Sequence, residues 1–462
     1  MNVHAGGLQD RAVTKALADF LVGIELENVP RKARDDAAVM VLDLLGCAFG
    51  ALRTEEARIA AEVFGALGGT AESSAWGLGF RTSCTNAAYL NGLIAHVIEL
   101  DDTHRPSITH VGAAVVPAAI AIAEREKASG ADFLRAIIVG YEACLRIANA
   151  VQPDHWRRGF LSMGTCGTFG AAAAAGALLG FDSERMRDAL GLAGVQAAGI
   201  NSSIYGDGDM GKRLCPGHAA SAGVLAALLA ARGFTGSRNV IEQPKGFCES
   251  FSGDYDLSLV TENMGEVWEV SRTSLKPYSC CRYNHAPIDG FLDILAAEDL
   301  EPQDIASVVI TTYGIAVDGR PHRTRPQSLF DAKMSIPFSL AVAAFKRKVG
   351  ESDFTEDLVA RPDLQAFAER VKVQADDGMT ARFPQEWPAH VTVSAADGRS
   401  FERLVPFPKG EPEAPMSRAE IEGKFADLSS AALGDSRVDD IIDEINGIEG
   451  AASLDRLVAL IG

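Results

Sequence analysis

The chain has 462 residues, with 62 Asp and Glu against 43 Lys and Arg, and a net charge of −19. The length exceeds what one compact core sustains, since cores stop growing near ~250–300 residues, so two domains are expected. The charge excludes nucleic acid as a partner, because phosphate neutralisation needs clustered Lys and Arg. It leaves small anionic substrates open, because a local basic pocket can exist on an acidic protein.

Hydrophobic residues at 47% and charged residues at 23% give an ordinary globular composition. The eight cysteines are scattered apart from the adjacent Cys280 and Cys281, with no CxxC pair. That usage points to reduced thiols in a cytoplasmic protein and against structural zinc. The opening MNVHAGGLQDRAV lacks the apolar stretch of a signal peptide. The Ala-rich run Phe169 to Phe181 is too short to span a bilayer and reads as a buried helix, so no membrane partner is expected.

In chain order, residues 11–23 and 31–52 read as helices; Val41, Leu44, Leu45 and Phe49 share one broad apolar face. Glu55 to Leu67 continues as helix, followed by a Gly- and Ser-rich turn. Thr82 to Leu100 reads as one long helix, with Ser83 or Asn86 as its cap. Gly112–Lys127, Ala131–Val151, Thr165–Leu179, Ser183–Gly194 and Gly217–Arg232 follow as Ala-rich helices. The texture changes near residue 270. Residues 305–314 read as a strand, Lys333–Phe345 as a helix, and 390–405 as a hairpin about Asp397–Gly398. Helix returns from Ser417 to the end. The fold expected is mainly α: a large all-helical domain (1–270 with 411–462) and a smaller α+β lid domain (271–410).

Four constellations can carry chemistry. The first is AHVIELDDTHRPSITHVGAAVVP, residues 95–117, with Glu99, Asp101, Asp102, Thr103, His104 and His110 at a helix end and its following loop. Carboxylates beside histidines suit general acid–base work. A structural reading stands beside it: Asp102 and Thr103 cap the next turn and His104 is a solvated loop residue. The second, residues 201–220, contains Gly206-x-Gly208-x-x-Gly211-Lys212. It lacks the preceding apolar strand of a dinucleotide loop, and Asp207 and Asp209 oppose phosphate, so no nucleotide cofactor is expected. It presents Lys212 and Arg213 before a helix opening near Pro216 or Gly217, a suitable place to hold a carboxylate. The third is SLKPYSCCRYNHAPIDG, with Lys276, Cys280, Cys281, Arg282 and His285 ahead of a helix opening at Ala286 or Pro287. The fourth holds Arg320, His322, Arg323 and Arg325, either carboxylate partners or a basic surface loop.

Several of these segments, in this order, resemble the MmgE/PrpD family, which includes 2-methylcitrate dehydratase, cis-aconitate decarboxylase and iminodisuccinate epimerase. They are AHVIELDDTHRPSITH, GTFGAAAAAGALLGF, GKRLCPGHAASAGVLAALLAARGFTG, KPYSCCRYNHAPID and DAKMSIPFSLAVA. The resemblance covers nearly the whole chain. It implies a homodimer, an active site in the cleft between a helical domain and an α+β lid, no metal and no other cofactor. It also implies catalysis by His110, Lys212, His285 and Asp102. Substrate binding is expected from Glu99, Thr103, His104, Arg213, Lys276, Cys281 and Arg282. Where relatives carry Asp, His, His and Tyr, this chain has Glu99, Leu161, Cys215 and Phe338. These departures speak against cis-aconitate decarboxylation and predict a less polar pocket wall. The activity expected is a dehydratase of the 2-methylcitrate type: His110 or His285 takes the proton α to a carboxylate of a small acid, and Lys212 holds that carboxylate. An epimerase, a decarboxylase and a non-catalytic acid-binding protein are the alternatives.

Overall fold

The computed structural model describes residues 12–205, 210–317 and 322–462. Gly206, Asp207, Gly208 and Asp209 of the glycine-rich loop and Arg320 of the basic loop lie outside the described residues. The fold is mainly α. Its first helices are α1 (Val13–Val22), α2 (Arg31–Ala51) and α3 (Glu55–Leu67), the last capped by Thr54 Oγ1, which accepts from the Ala57 N–H at 3.3 Å. The Gly- and Ser-rich stretch forms a short hairpin, β1 (Ser73–Ala75) with β2 (Phe80–Thr82), rather than a plain turn.

Next come α4 (Cys84–Ala95), α5 (Gly112–Glu126), α6 (Gly130–Val151), α7 (Ser162–Leu178), α8 (Ser183–Gly194) and α9 (Leu214–Ala231). Helices α4, α5, α7 and α9 pack on one another through Ala and Gly. A Cβ on Gly92 of α4 would sit 2.7 Å from the Ala113 carbonyl oxygen and 3.1 Å from Gly217 Cα. Small side chains here let backbones approach where leucines would hold them apart. The stretch Gly211–Ala231 is apolar and long enough to cross a bilayer, yet 56% of its apolar window is buried against neighbouring helices, as in the core helix of a globular protein.

The second half contributes α10 (His285–Glu298), β3 (Ile305–Thr312), α11 (Ile336–Lys346), β4 (Val371–Ala375), β5 (Ala389–Ala395) and β6 (Ser400–Val405). The sheet order is β4-β3-β5-β6. β3 runs parallel to β4 and antiparallel to β5, with Val308 opposite Val371 and Val393. β5 and β6 form the hairpin expected about Asp397–Gly398, where Gly398 takes φ +90°. β4 was not legible. The helix expected from Lys333 is broken at Ser335, whose side chain accepts from the Phe338 N–H and caps α11 instead.

The apolar interior falls into two main clusters. One joins residues between Val13 and Leu275 with Ile421, Phe425, Ile441, Ile445, Leu457 and Ile461. The other runs from Cys280 to Val393. The last helices, α12 (Arg418–Leu433), α13 (Asp435–Asn446) and α14 (Asp455–Ile461), therefore pack with the first cluster. Phe425 of α12 meets Phe49 of α2 edge-on, with ring centroids 6.4 Å apart.

Candidate active site

The long helix expected over Thr82–Leu100 ends at Ala95, with Ser83 as its cap, as expected. The chain leaves helical geometry at His96, and Glu99 adopts φ +60°. That conformation costs a non-glycine residue roughly 1–3 kcal/mol. Three lysines from distant segments hold it, Lys276 and Lys333 buried and Lys424 half-buried. Lys333 Nζ donates to the Ile98 carbonyl at 3.3 Å, Lys276 Nζ to that of Glu99 at 2.7 Å, and Lys424 Nζ to that of Leu100 at 3.0 Å. Ser279 Oγ also donates to Ile98 O at 3.2 Å. Three successive carbonyls thus find donors outside the helix, which offsets the strain and the lost helical bonds. A two-residue antiparallel pairing, Thr103 with Ser274 and His104 with Thr273, brings Lys276 alongside this turn.

A cavity opens on the turn. Glu99, Thr103, His110, Lys212, Lys276, Cys281 and Arg282 line it, seven of the eleven residues expected from sequence. Its remaining wall is apolar: Ile108, Trp156, Leu161, Met163, Met334 and Trp387, with Tyr283 and Ser162. Sequence reasoning missed these apart from Leu161. They come from loops and helix ends with no periodic or motif signal. Cys215 and Phe338 do not line this cavity, so the loss of polarity expected from them falls elsewhere; Phe338 is fully buried in the second cluster.

His110 sits between two partners. Its Nδ1 lies 2.8 Å from the Asp102 carbonyl oxygen. A carbonyl only accepts, so Nδ1 carries the hydrogen and Nε2 carries the lone pair. Asp101 Oδ2 lies 3.6 Å from the same Nδ1. The other side of Asp101 accepts from His96 Nδ1, 2.9 Å from both carboxylate oxygens. Burial would raise the Asp101 carboxyl, but His96 and His110 hold it below the ordinary carboxylate range. Burial, and then the ammonium of Lys276, push His110 down to about 3, so its imidazole is neutral at pH 7. Donor atoms of His96, Asp101 and His110 lie within 4.8 Å of one another, the spacing of a metal site. Of the two His110 nitrogens, Nδ1 is engaged by Asp102 O, and Nε2 keeps its lone pair.

Glu99 and Lys212 form a buried ion pair, Lys212 Nζ contacting both carboxylate oxygens and lying 2.6 Å from Oε1. Burial alone would raise the Glu99 carboxyl; Lys212 first, then His96, Lys276 and Arg213, hold it well below its usual value. Burial lowers Lys276, countered in part by Glu99 and Asp101.

Four expected site residues are placed elsewhere. His285 has both ring nitrogens engaged: Nδ1 accepts from Arg282 Nη1 at 2.8 Å, and Nε2 approaches the Cys280 carbonyl at 3.4 Å. Burial and Arg282 hold its pKa well below the usual value, and it lies outside the cavity wall. Cys281 occupies that part of the wall. Asp102 accepts from the Gly112 N–H at 3.0 Å and from the Tyr141 hydroxyl at 2.8 Å, binding the first turn of α5, which is the structural reading. His104 is buried between Ser107 Oγ at 2.8 Å and Glu269 Oε2 at 3.0 Å. Arg213 lies over the Phe330 ring at 4.9 Å and lines a separate surface groove on α3. In the basic loop, Arg323 pairs with Asp331 and Arg325 with Glu369, both at the surface and outside the cavity.

The MmgE/PrpD N-terminal domain model matches residues 15–260, and the C-terminal domain model matches 278–447. The chain belongs to the MmgE/PrpD family. The C-terminal match reaches into α12 and α13, although these helices pack on α2. A cis-aconitate decarboxylase of Aspergillus terreus is 27% identical over 475 residues, covering 97% of this chain and 96% of that protein. The Homo sapiens cis-aconitate decarboxylase is 26% identical over 464 residues, with 98% and 95% covered, and the Mus musculus protein is 25% identical. Family and relatives are enzymes of lyase type.

Proposed function

We propose that this protein is a hydro-lyase that works with side chains alone on a hydroxylated carboxylic acid. His110 Nε2 takes the proton α to a carboxylate, Lys276 receives that carboxylate, and the β-hydroxyl departs. The single observation that carries this reading is the orientation of His110. Its Nδ1–H is fixed on Asp102 O, which leaves Nε2 a neutral acceptor without a protein partner among the described residues. A base must be unprotonated at working pH, and burial beside Lys276 keeps His110 so. Asp101 supports the imidazolium that forms, and Lys276 stabilises the negative charge growing on the carboxylate. The Lys212–Glu99 pair lines the same cavity, and in this reading its ammonium gives the leaving hydroxyl a proton.

The test is a panel of hydroxy acids incubated in deuterated water. A new double bond by absorbance, with deuterium at the α carbon of recovered substrate, supports the reading. Turnover that survives His110→Gln unchanged refutes it.

Decarboxylation is the second reading, favoured by the names of the relatives. It needs the same carbanion beside Lys276, formed by loss of CO2 in place of a proton. Leu161 in the cavity wall stands against it, since leucine transfers no proton. Carbon dioxide release from cis-aconitate separates the two.

The assembly proposed is a homodimer. Ile59, Val63 and Leu67 of α3 are exposed beside Met210 and Leu214, and this apolar surface favours a second copy of the chain. Sedimentation of a Val63→Glu variant as a monomer supports it; an unchanged mass refutes it.

A further inference from the structure

The cavity's charges say more about the substrate than its base does, and a substrate class read from them rests on the lyase reading only in taking this cavity as the substrate site. Among the described residues three cations line it, and two are paired with buried carboxylates. Lys212 is neutralised by both oxygens of Glu99. Arg282 donates through Nε and Nη2 to Glu411 at 3.2 and 2.6 Å, and through Nη1 to Lys409 O at 3.0 Å and His285 Nδ1 at 2.8 Å. Lys276 is different. Its ammonium has three donors, and its one hydrogen-bond partner among the described residues is the Glu99 carbonyl at 2.7 Å. Two N–H groups of a lysine that is 1% exposed thus remain for a ligand in a cavity it lines.

Among the described residues the rest of the lining carries no further cation. Trp156, Leu161, Met163, Met334 and Trp387 present apolar surface. The Ser162 hydroxyl in the lining is engaged: its Oγ accepts from Thr109 Oγ1 at 2.7 Å and donates to the Ile108 carbonyl at 2.9 Å. Around the reacting end the buried charges cancel, Lys212 and Lys276 against Glu99 and Asp101. A polyanion would have to strip water from its second and third carboxylates against indole and thioether, with nothing to compensate.

We infer that the substrate carries a single ionised carboxylate, seated on Lys276, and an apolar arm that lies against Trp156, Leu161, Met163, Met334 and Trp387. The arm, rather than further carboxylates, supplies the remaining binding energy.

Calorimetric titration of the full-length protein with three unreactive acids tests this: 3-phenylpropanoate, hexanoate and propane-1,2,3-tricarboxylate. The two monocarboxylates bind more tightly than the tricarboxylate by about tenfold or more. Lys276→Met weakens 3-phenylpropanoate by about tenfold or more. Leu161→His and Met163→Gln, each checked for an unchanged circular dichroism spectrum, lower the preference for 3-phenylpropanoate over the tricarboxylate. Tricarboxylate binding as tight as phenylpropanoate overturns the inference. So does binding of none of the three, or a preference that neither wall variant alters. The lyase reading fails separately: unreactive acids need no base, so their affinity order persists in His110→Gln. A correct order without turnover sinks only the chemistry, and turnover with a reversed order sinks only the substrate class.

Discussion

Replacing His110 with Gln removes the lone pair at Nε2 while leaving a carboxamide able to donate to Asp102 O. General base catalysis contributes roughly 10²–10⁴ in rate, or about 2.7–5.4 kcal/mol of barrier, and that is the fall in kcat expected. KM should move little if, as proposed, Lys276 and not the imidazole holds the carboxylate. The pH profile is the sharper test. With His110 pushed down to about 3 by burial and Lys276, its neutral form dominates across the assay range. An ordinary histidine base, titrating near 6.5, would lose roughly 30-fold in kcat/KM between neutrality and pH 5. The wild-type profile should instead stay level over that interval, as far as the fold survives. Steady-state rates from pH 5 to 8, with refolding controls at each pH, check this. An acid limb centred between pH 6 and 7, or a His110→Gln enzyme within tenfold of wild type, would falsify the assignment.

Glu99→Gln leaves Lys212 buried and uncompensated, so denaturant melts should show a loss of about 3–5 kcal/mol, much of it restored by adding Lys212→Met. Asp102 is pushed up to about 7 by burial and the nearby Asp101, so its folded form holds a proton that the unfolded chain releases from its ordinary value of 3.8. Its stabilising contribution is therefore complete below about pH 4 and is lost as pH rises towards 7. Asp102→Asn keeps one acceptor and one donor for Gly112 and Tyr141. Its stability should thus gain on wild type between pH 4.5 and 7.5; melts whose difference stays constant over that span rule this out. Phe425→Ala should cost about 3–5 kcal/mol in a denaturant melt, because its ring fills the joint between α2 and α12. A cost below 1 kcal/mol would mean that the C-terminal helices dock loosely.

The helical texture was legible because Ala, Leu and Val recur at helical spacing and Ser83, Thr54 and Ser417 supply caps; the hairpin was legible from its alternation about Asp397–Gly398. His110, Lys212 and Lys276 were legible as charged residues in loops between apolar helices. The surroundings of His285 were not legible. Its position ahead of α10 says nothing of Arg282 and Cys280, which engage both its nitrogens. His96 and Asp101 were missed as a pair because the helix expected through Leu100 would have turned them apart.

The window from residue 95 to 117 shows where the division falls. Composition and order of residues by themselves determined that acids and histidines gather just after the apolar run of α4. What ends α4 at Ala95 is not local. Val97, Ile98, Glu99 and Leu100 continue the helix pattern, and the ammonium groups of Lys333, Lys276 and Lys424, with the Ser279 hydroxyl, draw three carbonyls out of it. Those lysines lie 235, 177 and 324 residues away along the chain. Local propensity amounts to tenths of a kcal/mol per residue, whereas an unmet buried ammonium or carbonyl costs several times more. The tertiary structure therefore decided the turn, and with it which histidine faces the cavity and which lysine keeps donors for a substrate.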